Sequence, residues 1–236
     1  MSRMILSTSC LLAAAQCIST DETRYYLAGV SVQKHPEKGA MLVATDGHRM
    51  IVVHDQYAIV PERPMIVSLN WKAKELKVTP KDIGNRVLIV EVPEKRTSTP
   101  MMAQIMSVAL DHADQYESDG LVKGALIVEE IDGTFPDWTR VVPWKTFDLQ
   151  ACTANVAFDP RYIATFSTAF SFLSFASDNT LVLRSGATGD PFIVTDPSVM
   201  NAFGILMPKR GGGMSAPLWL AHKAPPPPKE DTPEAA

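Results

Sequence analysis

The stretch TRYYLAGVSVQKHPEKGAMLVATDGHRMIVV, residues 23–53, decides how the rest of the chain is read. Its pattern is strand, loop, strand, tight turn and strand. Met41, Val43 and Thr45 alternate with Leu42 and Ala44 as far as Asp46-Gly47, and an apolar run over residues 50–53 comes next. The Asp-Gly pair therefore falls where a two-residue hairpin needs positive φ at its centre. His48 and Arg49 leave the turn directly, which sets an imidazole and a guanidinium at one end of a sheet, beside whatever covers Leu27. Taken alone, such a turn is a solvated hairpin tip.

Outward from this hairpin the same order of elements recurs. On the N-terminal side, residues 4–6 form a first strand and a Ser or Thr among positions 7–9 caps a helix. Residues 10–19 then present Leu11, Leu12, Ala15 and Ile18 on one helical face. Arg3 followed by MILSTSCLLAAAQC has the outline of a bacterial export signal, but Ser7-Thr8-Ser9 breaks the apolar run and a single positive charge precedes it. The segment reads as mature structure.

On the C-terminal side, residues 65–69 are a short apolar run, Asn70 caps a helix over residues 71–78 that Pro80 and Gly84 end, and RVLIVEV, residues 86–92, is a strand. AQIMSVA, residues 103–109, reads as a strand, with a helix over residues 100–113 as an alternative that so short a segment leaves open. An acidic loop over residues 111–119 and the strand ALIVEEI, residues 125–131, complete the round. A third round begins at Asn155 with a strand at 156–158, an Asp159-Pro160 cap and a helix over 161–170. Strands at 172–176 and 180–184 flank a Ser-Asp-Asn turn, and a loop over 191–201 leads to a last strand at 202–207. The fold class expected is α+β, with about three modules of strand, helix and three strands, and helices on one face of antiparallel sheets.

Composition bounds the function. With 236 residues, 46% hydrophobic and 20% charged, the chain has the make-up of an ordinary globular protein of one or two domains. No apolar stretch is long enough to cross a bilayer, so no membrane partner is expected. A net charge of −4 argues against a protein that coats nucleic acid with its whole surface, but leaves room for one basic inner face. Cys10, Cys17 and Cys152 are odd in number and lack metal-ligand spacing, which suits thiols of a reducing compartment. A P-loop, a dinucleotide-binding GxGxxG, a GxSxG elbow and HExxH are all missing from the sequence, and nothing orients Asp46 and His48 toward a serine. GATGD, residues 186–190, reads as a turn between strands. The expectation is a protein that is not an enzyme and carries no cofactor and no metal.

Three separated segments carry a family resemblance. TRYYLAG followed by VATDGHRM is similar to the middle domain of the bacterial sliding clamp, the beta subunit of DNA polymerase III. IDGTFPDWTRVVP, residues 131–143, resembles the end of that domain, and GILMPKR, residues 204–210, resembles the clamp's C-terminal strand and tail. Three matches in the family's order, over residues 23–210, are specific where any one alone would be weak. The resemblance implies a two-module domain over residues 1–143, a half-domain over 155–210 and a Pro-rich tail over 211–236 without fixed structure. The family's ring has about six modules per subunit, so this version is shortened and divergent, of a phage type or similar. An unpaired third module leaves a sheet edge and a helix face for another copy of the chain to cover.

The same resemblance implies sites. A peptide pocket is expected from Leu27, Thr45, Gly47, His48, Arg49 and Met50 on one wall, Pro136, Arg140 and Val141 on the floor, and Ile205, Leu206, Met207, Pro208 and Arg210 on the other wall. It would take extended peptides of a DNA polymerase and a clamp loader, burying leucine and aromatic side chains. The plainer reading of the floor is that Phe135, Trp138 and Val141 plug a core between modules. Double-stranded DNA would be held without sequence preference through phosphates by Lys72, Lys74, Lys77 and Arg161 on module helices, and by Arg24, Tyr25 and Tyr26 at the ring face. Helix one carries no basic residue, so this lining is thin. The functional expectation is a sliding-clamp-like processivity factor, a homo-oligomeric ring in the cytoplasm of a bacterial cell, or of the host cell if the protein is viral. Its alternative is a peptide-binding adaptor or decoy that keeps the pocket without encircling DNA. Leu218, Trp219 and Leu220 in the tail have the character of a pocket-binding motif, and equally that of an incidental apolar patch.

Overall fold

Alternating Val, Ile, Leu and Met residues build one antiparallel sheet in the computed structural model, which describes residues 2–79, 85–108, 120–142, 156–174, 180–185 and 189–209. In chain order the elements are strand Ser2–Ser7 (β1), helix Thr8–Ala15 (α1), and strands Val30–Lys34 (β2), Ala40–Thr45 (β3), Arg49–Asp55 (β4) and Met65–Leu69 (β5). Then come strands Arg86–Val92 (β6), Met101–Ser107 (β7) and Leu121–Glu130 (β8), helix Pro160–Ser171 (α2), and strands Val182–Arg184 (β9), Phe192–Thr195 (β10) and Ala202–Leu206 (β11). The strands lie in the order β1-β6-β7-β8-β5-β2-β3-β4-β11-β10-β9. Every pairing is antiparallel among the described residues.

Period-two alternation divides the apolar residues between two faces. Met4 and Leu6 enter the main core, whereas Ile5 between them packs with Val87, Ile89, Met106 and Val108 on the other side. All eight residues of α1 are buried, since this helix touches β1 and β6 near one end of the strand order and β2, β3 and β4 far along it. The sheet therefore curls around α1. Helix α2 closes over it, with Phe166 and Phe170 fully enclosed. Gly204 in β11 makes this approach possible, because a Cβ there would run into the Phe166 ring.

Several expectations are corrected. The first residues of the deciding stretch form a 3-10 turn, Glu22–Leu27, capped by Asp21, and the strand proper starts at Val30. The helix expected over residues 71–78 is reduced to a single 3-10 turn, Lys74–Leu76. The Asn70 carboxamide does accept from the Lys72 backbone, but Ala73 is extended at ψ 136° and interrupts any helical run. Helix one spans residues 8–15 rather than 10–19, and Ser7 stands at its cap position without a side-chain bond to it. Residues 172–174 end α2 instead of starting a strand, and part of the loop expected over 191–201 is the strand β10. The open alternative over residues 100–113 resolves as strand at residues 101–107. The helix-ending Pro80 and Gly84, the acidic loop 111–119, Cys152, the Ser-Asp-Asn turn, residues 186–188 of GATGD, Arg210 and the tail lie outside the described residues.

Candidate functional site

The turn after β3 is fixed by its own side chains. Gly47 has φ 90°, and the Asp46 N–H donates to the Arg49 carbonyl at 3.3 Å, so the loop centre is Gly47-His48, one residue beyond the expected Asp46-Gly47. Asp46 instead serves as the acceptor that closes the turn. Its Oδ1 takes the backbone N–H of His48 at 2.9 Å and of Arg49 at 3.0 Å, and its Oδ2 takes Arg49 Nε at 3.0 Å. The Thr45 hydroxyl donates to the Arg49 carbonyl at 2.8 Å and accepts the Gly47 N–H at 3.0 Å.

Two other elements lock onto this turn. The Met207 N–H, just past β11, donates to the His48 carbonyl at 2.9 Å, extending the β4–β11 pairing to the loop itself. The Arg49 guanidinium sits 4.8 Å from the centre of the Tyr162 ring on α2 and donates to the Thr165 hydroxyl one turn below. His48 lies nearly parallel to the same ring, at 6.1 Å and 13°. The Arg24 guanidinium, tied to Asp21 at 3.0 Å, lies over the turn, since a Cβ at Gly47 would stand 2.6 Å from it.

The start of α2 and the end of β11 are joined by one carboxylate. Asp159 accepts the Arg161 N–H at 3.0 Å as a helix cap, takes the Arg161 guanidinium at 3.0 and 2.7 Å, and takes Lys209 Nζ at 3.3 Å. These hydrogen bonds, those of Arg161 foremost, hold the Asp159 carboxyl well below the usual carboxylate range. Lys209 also donates its backbone N–H to the Ala157 carbonyl at 2.8 Å.

Among the residues singled out from the sequence, His48 and Arg49 meet Tyr162, Arg24 lies over the same turn, and Met207 is joined to that turn through its backbone. His48 and Met207 are exposed, Pro208 and Tyr162 half-buried. Cross-strand register separates the rest. Leu206 opposite Arg49 enters the core under α2, while Ile205 opposite Met50 enters a cluster on the other sheet face with Val43, Val52 and Val142. Leu27 is buried as well. On that second face Phe135 and Trp138 cover the cluster and Val142, rather than Val141, plugs it; Pro136, Arg140 and Val141 stay exposed. Arg140 pairs with Asp137 at 3.0 Å.

The candidate DNA residues are scattered. Lys72, Lys74 and Lys77 are exposed around the 3-10 turn whose Leu76 is buried. Arg161 is exposed but engaged by Asp159. Tyr25 is exposed and meets half-buried Tyr26 edge to face at 5.8 Å. Burial pushes the Cys17 thiol up to about 12 and raises that of Cys10, so neither is a nucleophile near neutral pH. Among the described residues no group of three or more His, Cys, Asp or Glu is placed to hold a metal, and no helix is long and apolar enough to cross a membrane. A separate cleft of about 950 Å³, lined in part by Asp55, Asp196 and Met200, shares no residue with the turn.

Sequence reasoning missed Tyr162, Thr165 and Lys209 as members of the site. The available signal was the Asp159-Pro160 cap, which fixes where α2 starts and so puts Tyr162 in its first turn, facing a neighbour.

No family model matches the sequence, and no curated protein matches it. Solved structures do. The DnaN sliding clamp, DNA polymerase III subunit beta, of Bartonella birtlesii bound to griselimycin superposes with a TM-score of 0.56 at 19% identity, covering 89% of this chain and 66% of that one. DNA polymerase III subunit beta of Borrelia burgdorferi, in complex with a natural product, gives 0.58 at 12% identity, covering 90% of this chain and 65% of that one. The beta subunit of Thermotoga maritima gives 0.55 at 14% identity, covering 90% and 66%. The chain has the fold of these clamps and spans about two thirds of their length.

Proposed function

We propose that this chain is a clamp-type factor of DNA replication. It receives partner peptides at the His48–Tyr162–Met207 site and, through them, tethers a polymerase to duplex DNA. The observation that carries this reading is the triple fastening of one turn: Asp46 from within, Met207 from β11, and Tyr162 with Thr165 from α2. Such fastening lowers the cost of binding, because the turn backbone, the Arg49 side chain and the stacked His48 and Tyr162 rings are already held in place. An extended peptide of the polymerase or clamp loader, with a glutamine, leucines and a terminal aromatic, fits a surface of this kind. The protein acts by binding and has no catalytic role in this reading.

The test is calorimetry with such a peptide. Met207→Ala combined with Arg49→Ala weakens binding by at least tenfold, and Met207→Ala with His48→Ala, which touches only exposed side chains, weakens it while leaving the melting temperature in place. Unchanged affinity in both pairs would show that the peptide site is elsewhere.

One observation favours a second reading, an adaptor that binds peptides without encircling DNA. Helix α1, which a clamp of this design would turn toward its hole, is wholly buried, and α2 exposes one basic residue that Asp159 already occupies. Phosphate contact is then left to Lys72, Lys74 and Lys77 with the Arg24–Tyr26 segment. The two readings share the peptide site and differ only in DNA retention.

A further inference from the structure

Lys209, three residues past β11, lies beside the candidate peptide site. Lys209 is bonded through its backbone to Ala157 and through its ammonium to Asp159, the cap of α2, and Tyr162 lies within the first turn of that helix. Met207, two residues earlier, supplies part of the site's exposed surface. The C-terminal segment beyond Lys209 is therefore delivered to the site at close range. That segment opens with Arg210 and Gly211-Gly212-Gly213 and then carries Leu218-Trp219-Leu220, the one dense apolar triplet beyond the last strand.

We infer that the segment Leu218-Trp219-Leu220 of this same chain docks on the His48–Tyr162–Met207 site and competes with partner peptides there. The inference rests on the proposed peptide site and adds its regulation. Leu218 lies nine positions after Lys209, and a Gly-rich connection of that length has a typical span of roughly 15–18 Å. Tyr162 is about one helical turn from the Asp159 cap that holds Lys209, a step of roughly 5 Å along the axis. The tether reaches without being stretched, and attachment at that range sets an effective concentration on the order of millimolar. A segment with an intrinsic dissociation constant of about 0.1 mM would then occupy the site about nine-tenths of the time and reduce the apparent affinity of a competing peptide about tenfold.

Chemistry supports the same occupant. Leucine and tryptophan side chains match the Met207 thioether and the Tyr162 edge.

The experiment compares the full chain with the variant Leu218→Ala/Trp219→Ala/Leu220→Ala. The substitutions lie in the sequence after Lys209 and change no residue of the described sheet. The probe is a labelled ten-residue peptide with a glutamine, two leucines and a terminal phenylalanine, read by fluorescence polarisation. The variant is expected to bind the probe about tenfold more tightly than the full chain, and a free peptide of residues 214–224 is expected to displace the probe from the variant. Equal affinities, or a free peptide that displaces nothing, overturn the inference while the peptide site stands. A probe that binds neither chain removes the site itself and the inference with it. Tail-dependent dimerisation in light scattering assigns the segment to a neighbouring copy and overturns docking within one chain.

Discussion

At the scale of single residues, Arg49 is the most constrained side chain of the site. It is largely buried, faces Asp46, and lies against Tyr162 and Thr165. Arg49→Ala leaves the Asp46 carboxylate without its guanidinium and a hole against α2, so a loss of about 2–3 kcal/mol is expected in urea denaturation. Arg49→Lys restores the charge without the planar fork and recovers less than half of that. A lysine that restores full stability would mean that the ring and hydroxyl contacts contribute little. The position of this residue, leaving the hairpin turn at one end of the sheet, was legible in the sequence. Its partners were not, because Tyr162 and Thr165 lie more than a hundred positions away and no local periodicity reports a contact of that range. The one-residue error at the turn has a local cause: Asp46-Gly47 suits a hairpin centre, but the Asp46 carboxylate makes three bonds from the shoulder that it could not make from the centre.

At the scale of elements, the junction of β11 with α2 joins the site to the core. Gly204→Ala drives a methyl group into the Phe166 ring, and since both elements are clamped the expected cost is about 3 kcal/mol, measured as a lower midpoint with an unchanged denaturant slope. The Asp159 carboxyl makes a pH-dependent contribution to the same junction. Its folded pKa is depressed by Arg161 and Lys209, so the stabilisation is complete above the unfolded value of about 4 and fades as pH falls through the lower folded value. Stability curves of the native chain and of Asp159→Asn are therefore expected to be separated at neutral pH and to draw steadily together as pH falls below about 4 toward the lower folded value. A gap that does not narrow at all between about pH 5 and pH 2 would point to loss of the cap itself. Strands with alternating apolar residues, such as β6, were plain in the sequence. The short β10 was not, because its four residues lie between Pro191 and Pro197 and look like loop. The missing second helix was equally hidden: Lys, Ala, Glu and Leu favour helix locally, and only the burial of Leu76 shows that tertiary packing chose otherwise.

At the scale of the whole molecule, the question is whether the clamp fold encloses DNA. Lys72→Glu/Lys74→Glu/Lys77→Glu is expected to abolish retention on circular duplex DNA and to leave peptide affinity unchanged, because these exposed side chains share no residue with the peptide site. In the native chain, retention should fall steeply with salt. Retention that survives the triple change, or a monomeric mass at high concentration, would leave the adaptor reading. Two terminal strands of the sheet, β1 and β9, flank no further named strand among the described residues. β9 is three residues long and ends in Arg184, features that discourage indiscriminate edge pairing.

The strand order also has a consequence in time. β1 pairs with β6, whose partner residues lie about eighty to ninety positions later, and the outer edge of β4 waits for β11, about one hundred and fifty positions further on. As the chain leaves the ribosome, α1 emerges early with nothing to wrap it, and the hairpin bearing the peptide turn has its loop before it has the strand that fastens it. Non-local closure of this sort is slow, on the order of milliseconds to seconds for much smaller sheets. The fastened turn is therefore among the last features of the molecule to be completed, since it needs both α2 and the residue after β11.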